Sequence, residues 1–160
     1  MDDIARLCWG YRALLSKRAA AIPGIVERYY AEADYARMID DLPRVHARPR
    51  GDMLLAVAGG RAVGCAMYYP LGPEGVTEIK RVFVDPAARG LGAGRALMVD
   101  AMHRAAADGY ARMVPDTIAP LTEAIALYKR VGFAPCPPFY EPDPAYVPHL
   151  RFFDIALETP

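Results

Sequence analysis

This sequence is short of cysteine and histidine, has a single tryptophan, and carries no surplus charge of either sign. Its three cysteines, Cys8, Cys65 and Cys136, lie far apart and form no C-x-x-C pair. An odd, scattered set argues against a disulfide framework or a structural zinc site and fits a reduced compartment. His46, His103 and His149 are equally dispersed, so no metal cluster is expected. Lys plus Arg and Asp plus Glu both number 19, which leaves no net field to attract nucleic acid or an anionic membrane. No apolar run approaches the roughly 18 residues of a membrane span. The acidic start, Met1-Asp2-Asp3, lacks the basic n-region of a signal peptide. These absences predict a soluble, cytoplasmic protein with neither nucleic acid nor membrane as partner.

What is present is globular. At 160 residues with 54% apolar and 24% charged content, the chain suits one domain with its own core. Ile4, Leu7, Cys8, Tyr11, Leu14 and Leu15 recur at helical spacing. A second helix is expected after Pro23-Gly24, with Pro43 ending it. Residues 53–58 and 62–69 read as strands joined at Gly59-Gly60, and a third strand spans 76–84. A helix follows to about Ala107, then a short strand 111–114 closed by Pro115, a helix over about 120–131, and a last strand 151–157. Six prolines between Pro135 and Pro148 mark an ordered loop. Three successive strands suggest antiparallel pairing, and the later strand–helix–strand unit suggests a parallel step. The expected class is α/β (α+β): a mixed, mostly antiparallel central sheet flanked by helices.

The most informative segment is Arg89-Gly90-Leu91-Gly92-Ala93-Gly94, between the third strand and the following helix. A strand that turns through glycines into a helix leaves unpaired N–H groups at the positive end of the helix dipole, which is an anion site. A dinucleotide fold asks for G-x-G-x-x-G/A after its first strand. Here Arg95 or Leu97 stands at the last position, and three strands precede the loop. The nucleotide loop G-x-x-x-x-G-K-[ST] is absent.

The run Val84–Gly94 resembles the acetyl-CoA loop of the GNAT N-acetyltransferases, (Q/R)-x-x-G-x-(G/A). A second stretch, Ala124-Ile125-Ala126-Leu127-Tyr128-Lys129-Arg130-Val131-Gly132-Phe133, is similar to that family's A-x-x-L-Y-x-x-x-G-F. The two occur in family order, covering residues 76–134 well and the rest loosely. The chain departs from the family at its start, where the usual first strand is missing and a sheet edge is left open for a homodimer or another cover. Leu121 stands where the family often has Asn, and Pro115 occupies a strand position.

The resemblance implies an acetyl-CoA-dependent N-acetyltransferase that acts without a covalent enzyme intermediate or a metal. The cofactor's pyrophosphate would rest on the loop, with Arg89 opening the motif and the N–H groups of Gly90, Leu91, Gly92, Ala93, Gly94 and Arg95 forming the cradle. Its pantetheine arm would run where the strands around Val82-Phe83-Val84 and 111–114 splay apart, with an N–H near Val82 for the thioester oxygen. Tyr128 is the candidate general acid, since a phenol of pKa about 10 can protonate a thiolate whose conjugate acid lies near 8.5. Packing alone is the other reading of Tyr128. Glu78 is the candidate base for an amine of pKa near 10.4. An internal ion pair with Lys80 or Arg81 is the alternative, and Asp116 is a substitute. Strict alternation groups Glu78 with Val82 and Val84, whereas a bulge would reverse that grouping. Tyr29, Tyr30, Tyr35, Tyr140 and the Arg48/Arg50 loop are candidates for the acceptor side. The expected acceptor is the primary amine of a small molecule. A protein amine, or a catalytically silent CoA-binding module, remains open.

Overall fold

The computed structural model describes residues 1–158. The first helix, α1 (Asp2–Arg18), buries Ile4, Leu7, Cys8, Tyr11 and Leu15, with Asp2 and Asp3 in its first turn and Lys17 and Arg18 in its last. Both charge placements oppose the helix dipole favourably. A Cβ on Gly10 would stand 2.9 Å from the Phe83 ring, so glycine is what lets α1 lie close on the sheet.

The single second helix expected from the sequence is two helices, α2 (Ile25–Tyr30) and α3 (Glu32–Val45). Ala31 is extended between them, and Arg12 Nε takes the Tyr30 carbonyl at 2.8 Å, a group that a continuous helix would bond internally. Pro43 lies inside α3 instead of ending it. Two residues from the end, a proline forfeits one late hydrogen bond and the helix tolerates it.

Strands β1 (Asp52–Ala58) and β2 (Arg61–Pro70) form the expected hairpin. Gly59 and Gly60 both have positive φ, 57° and 75°, as a two-residue primed turn requires. Strand β3 (Val76–Val84) pairs antiparallel with β2, and the register slips between Cys65↔Phe83 and Met67↔Lys80. The extra residue sits at Arg81, whose φ is 53°. This bulge decides the faces: Glu78, Lys80 and Phe83 turn toward α1 and α2, while Ile79, Val82 and Val84 turn toward the opposite core. The grouping of Glu78 with Val82 and Val84 is therefore corrected, because the extra residue inverts the alternation.

After β3 come α4 (Ala93–Ala107), β4 (Arg112–Val114), β5 (Asp116–Ile118), α5 (Thr122–Val131), β6 (Ala134–Pro135) and β7 (Leu150–Ala156). The sheet order is β1-β2-β3-β4-β7-β5, with β6 also paired to β7. Among the described residues only the β3–β4 contact is parallel, so the sheet is mixed and mostly antiparallel as expected. Helices α1–α3 cover one face and α4–α5 the other. Leu7, Leu15 and Leu42 are fully buried in the first layer, and Met98 and Met113 in the second. Each contributes roughly 1.5–3 kcal/mol of transfer free energy. Strand β1 forms one edge of the sheet, with Leu55 and Val57 exposed on it.

Candidate active site

The loop between β3 and α4 begins with a 3-10 turn, Pro86–Ala88, in which the Asp85 side chain accepts from Ala87 N at 3.0 Å. Gly90 and Gly92 then adopt φ of 86° and 76°. A Cβ at either would meet no protein atom within 4 Å. The backbone conformation, and room left on the outer side, are what these two glycines supply. Gly92 is the N-cap of α4, and no side chain caps that end. The first N–H groups of α4 thus stay available for an anion. Further along, a Cβ on Gly94 would lie 3.2 Å from Leu127, so this glycine seats α4 against α5.

The loop opens onto a cavity of about 320 Å³ lined by Arg89, Gly90, Gly92, Ala93, Gly94 and Arg95 on one side. Val82, Phe83, Val84 and Tyr128 line the other. Leu91 is the loop residue outside this lining and is 69% exposed. The sheet makes the space. Strands β3 and β4 pair only from Val76↔Arg112 to Glu78↔Val114, and beyond Pro115 the chain pairs with β7 instead. Val82–Val84 therefore face the split without a partner from β4. The opening lies past residues 111–114, not beside them, because 112–114 are the paired rungs.

Tyr128 projects from α5 into this cavity and packs edge-on to Phe153, ring centroids 5.6 Å apart. Burial, with smaller contributions from Tyr11 and Asp116, pushes its hydroxyl well above the usual phenol value. The phenol keeps its proton, and its gap to a thiol near 8.5 is wider than an ordinary tyrosine implies.

A second cavity, of about 500 Å³, adjoins the first across Tyr11 and Thr117, which line both. Its floor is a polar cluster. Lys80 Nζ lies 2.9 Å from Glu78 Oε1 and 2.9 Å from Asp116 Oδ1. Tyr140 donates to Asp116 Oδ2 at 2.8 Å, and Tyr69 donates to Glu78 Oε2. Burial alone would lower the Lys80 ammonium, but Asp116, Tyr30 and Glu78 outweigh it and hold its pKa well above the usual lysine value. Glu78 Oε1 is buried, and its close neighbour is the Lys80 ammonium. Thr117 Oγ1 is buried and unpartnered.

Tyr29, Tyr30 and Tyr35 wall this cavity. Burial pushes the Tyr30 hydroxyl up to about 12. The Arg48/Arg50 loop does not reach it. Arg48 instead pairs with Asp108 at 2.6 Å and donates to the Tyr68 hydroxyl at 2.9 Å, and the Arg50 carbonyl accepts from Tyr110. Sequence reasoning missed Tyr11, Tyr69 and Thr117. Thr117 carried a usable signal, one residue past Asp116 after the pairing break at Pro115. Tyr69 had none, since its partner Glu78 is defined only by the β2–β3 register.

The sequence profile of the acetyltransferase (GNAT) family matches residues 19–133. The chain belongs to the GNAT acetyltransferase family. Relatives include an uncharacterised N-acetyltransferase of Schizosaccharomyces pombe, 37% identical over 68% of this chain and 67% of that protein. An IAA acetyltransferase of Azospirillum brasilense is 36% identical over 72% and 74%. Among solved structures, a GNAT acetyltransferase from Staphylococcus aureus superposes with a TM-score of 0.71 over 96% of this chain and 93% of that one, at 17% identity. A Salmonella typhimurium protein solved with its cofactor acetyl-CoA superposes at 0.59 over 79% and 75%, at 19% identity. The GNAT profile spans the glycine loop, the split strands and Tyr128, and the chain is an acyltransferase. The uncapped α4 N-terminus and the open outer faces of Gly90 and Gly92 fit a pyrophosphate.

Proposed function

We propose that this enzyme moves the acetyl group of acetyl-CoA directly onto the primary amine of a small molecule. The observation that carries the reading is the junction at Tyr11 and Thr117: a cavity lined by the glycine loop meets one lined by Glu78 and Asp116. Acetyl-CoA, when bound, supplies an activated thioester carbonyl and a thiolate leaving group. The N–H groups of residues 90–95 hold its phosphates, with Arg89 beside them. The N–H at Val82, on the strand edge that β4 leaves free, is the donor for the acetyl oxygen. Tyr128 holds a proton on its hydroxyl at neutral pH and delivers it to the departing sulfur.

Glu78 is the base. Its carboxylate receives the amine proton, held in place by Lys80 against Oε1 and by Tyr69 on Oε2. Asp116, held by Lys80 and Tyr140, is the second carboxylate of the pocket. Tyrosines from α1, α2 and the proline-rich segment surround this floor, which favours a small acceptor over a protein chain. The exposed β1 edge is the face for a homodimer, and the cytoplasm is the compartment that the reduced cysteines suit.

Thiol release from acetyl-CoA across a panel of amines tests the reading. Turnover should appear for at least one amine and fall about 10²-fold or more in Tyr128→Phe and in Glu78→Gln. Acetyl-CoA binding without turnover of any amine would instead identify a silent module.

A further inference from the structure

The bulge explains the Arg81 backbone, but no ion pair among the described residues accounts for its side chain. It occupies the bulge in β3 and is the only non-glycine residue with positive φ among the described residues. Such a backbone persists only where the surroundings impose it, and bulges commonly re-aim a side chain. The Arg81 side chain borders the acceptor cavity and also a neighbouring space of about 350 Å³ under α3. Its Nε is buried with no hydrogen-bond partner. Its one side-chain hydrogen bond among the described residues runs from Nη1 to the Met67 thioether at 3.7 Å.

The nearby carboxylates are engaged elsewhere. Glu78 and Asp116 pair with Lys80, Asp34 with Arg37, and Asp41 with Arg44. His46 borders the same space, but its Nδ1 is bound to the Tyr68 carbonyl at 2.9 Å and burial keeps it neutral. A guanidinium is among the strongest carboxylate receptors a protein can present, and one with a buried, unpartnered nitrogen calls for an explanation.

We propose that Arg81 binds a carboxylate of the acceptor, so that the enzyme selects amines that are also acids. The cavity then complements a zwitterion: Glu78 and Asp116 face the amino end, Arg81 faces the acid end, and tyrosines line the space between. The amino half rests on the acyl-transfer reading above; the acid half rests on Arg81 alone.

The test uses free amino acids and their carboxamides, with acetyl transfer and calorimetric binding as separate readouts. Arg81→Asn is the neutral variant, because asparagine tolerates the left-handed backbone. Arg81→Lys keeps the charge, and acetyl-CoA affinity reports that each variant is folded. A charge-assisted contact to a carboxylate predicts a wild-type preference for acid over carboxamide of about tenfold to a hundredfold in kcat/KM. The same preference should appear in calorimetric affinity. It should vanish in Arg81→Asn and return in part in Arg81→Lys. Equal handling of acid and carboxamide by the wild type, or an undiminished preference in Arg81→Asn, overturns the proposal. Arg81-dependent carboxylate binding without any acetyl transfer would sink the acyl-transfer reading and leave the anion site standing. Transfer indifferent to the carboxylate would do the reverse.

Discussion

Gly92→Glu separates a ligand-holding glycine from a merely conformational one. Gly92 has φ of 76°, and a Cβ there meets nothing within 4 Å, so the protein itself has space for a side chain. The folding cost is the backbone alone, about 1–2 kcal/mol for a non-glycine residue in the left-handed region. For a domain of this size that lowers Tm by about 2–8 °C. The binding cost is separate. A glutamate carboxylate about 5 Å from one phosphate charge opposes it by about 0.8 kcal/mol in bulk dielectric and about 3 kcal/mol at the effective value near a protein surface. With the bulk of the side chain added, acetyl-CoA affinity should fall at least about tenfold, or about 1.4 kcal/mol. Gly92→Asn shares much of the backbone constraint without the charge and should lose less. Calorimetric titration of the three proteins at one ionic strength measures the difference. Equal affinity for Gly92→Glu and wild type would refute the placement of the phosphates on this loop.

Tyr128→Phe should lower kcat about 10²-fold while leaving the acetyl-CoA dissociation constant within about threefold, as stopped-flow and equilibrium titration would report; a matching loss in binding would make the residue a packing element. Lys80→Met leaves Glu78 and Asp116 without their shared cation, and removing one partner of a buried pair costs about 3–5 kcal/mol, readable as a lowered urea midpoint. An unchanged midpoint would mean the cluster is solvated in solution. His46 gives a pH dependence. Burial outweighs its bond to Tyr68 and, with a smaller push from Arg81, lowers its pKa from 6.5 to about 4. Above pH 6.5 neither folded nor unfolded His46 carries a proton, and nothing is lost. Between 6.5 and about 4 the unfolded chain gains a proton that the folded chain refuses, so stability should fall by about 3 kcal/mol. Denaturation curves of His46→Asn should be flatter over that window than wild type, and parallel curves would contradict the assignment.

The glycine loop, the hairpin, α4 and α5 were legible because each is specified locally, by turn glycines or by one periodic face. The α2–α3 break was not, since the Tyr30 carbonyl is diverted by Arg12 from a different helix. The bulge at Arg81 was foreseen only as a contingency. No residue type at that position announces it, and its effect on Glu78 follows from pairing with β2. Tyr128 and the loop came through family motifs. The Glu78–Lys80–Asp116–Tyr140 cluster joins β3, β5 and the proline-rich segment, and such convergence is fixed by tertiary packing alone. The Arg48 expectation failed for the same reason: a cation in a loop seeks whatever acid packing brings near, here Asp108.

The short seam between β3 and β4 has a mechanical meaning. Three rungs are all that stitch β1–β3 to the remaining strands before Pro115 parts them. Whatever enters the gap lies where a fourth and fifth rung would have been, touching both plates at once. A cosubstrate seated there would also be a rivet, completing the domain only while it is being used.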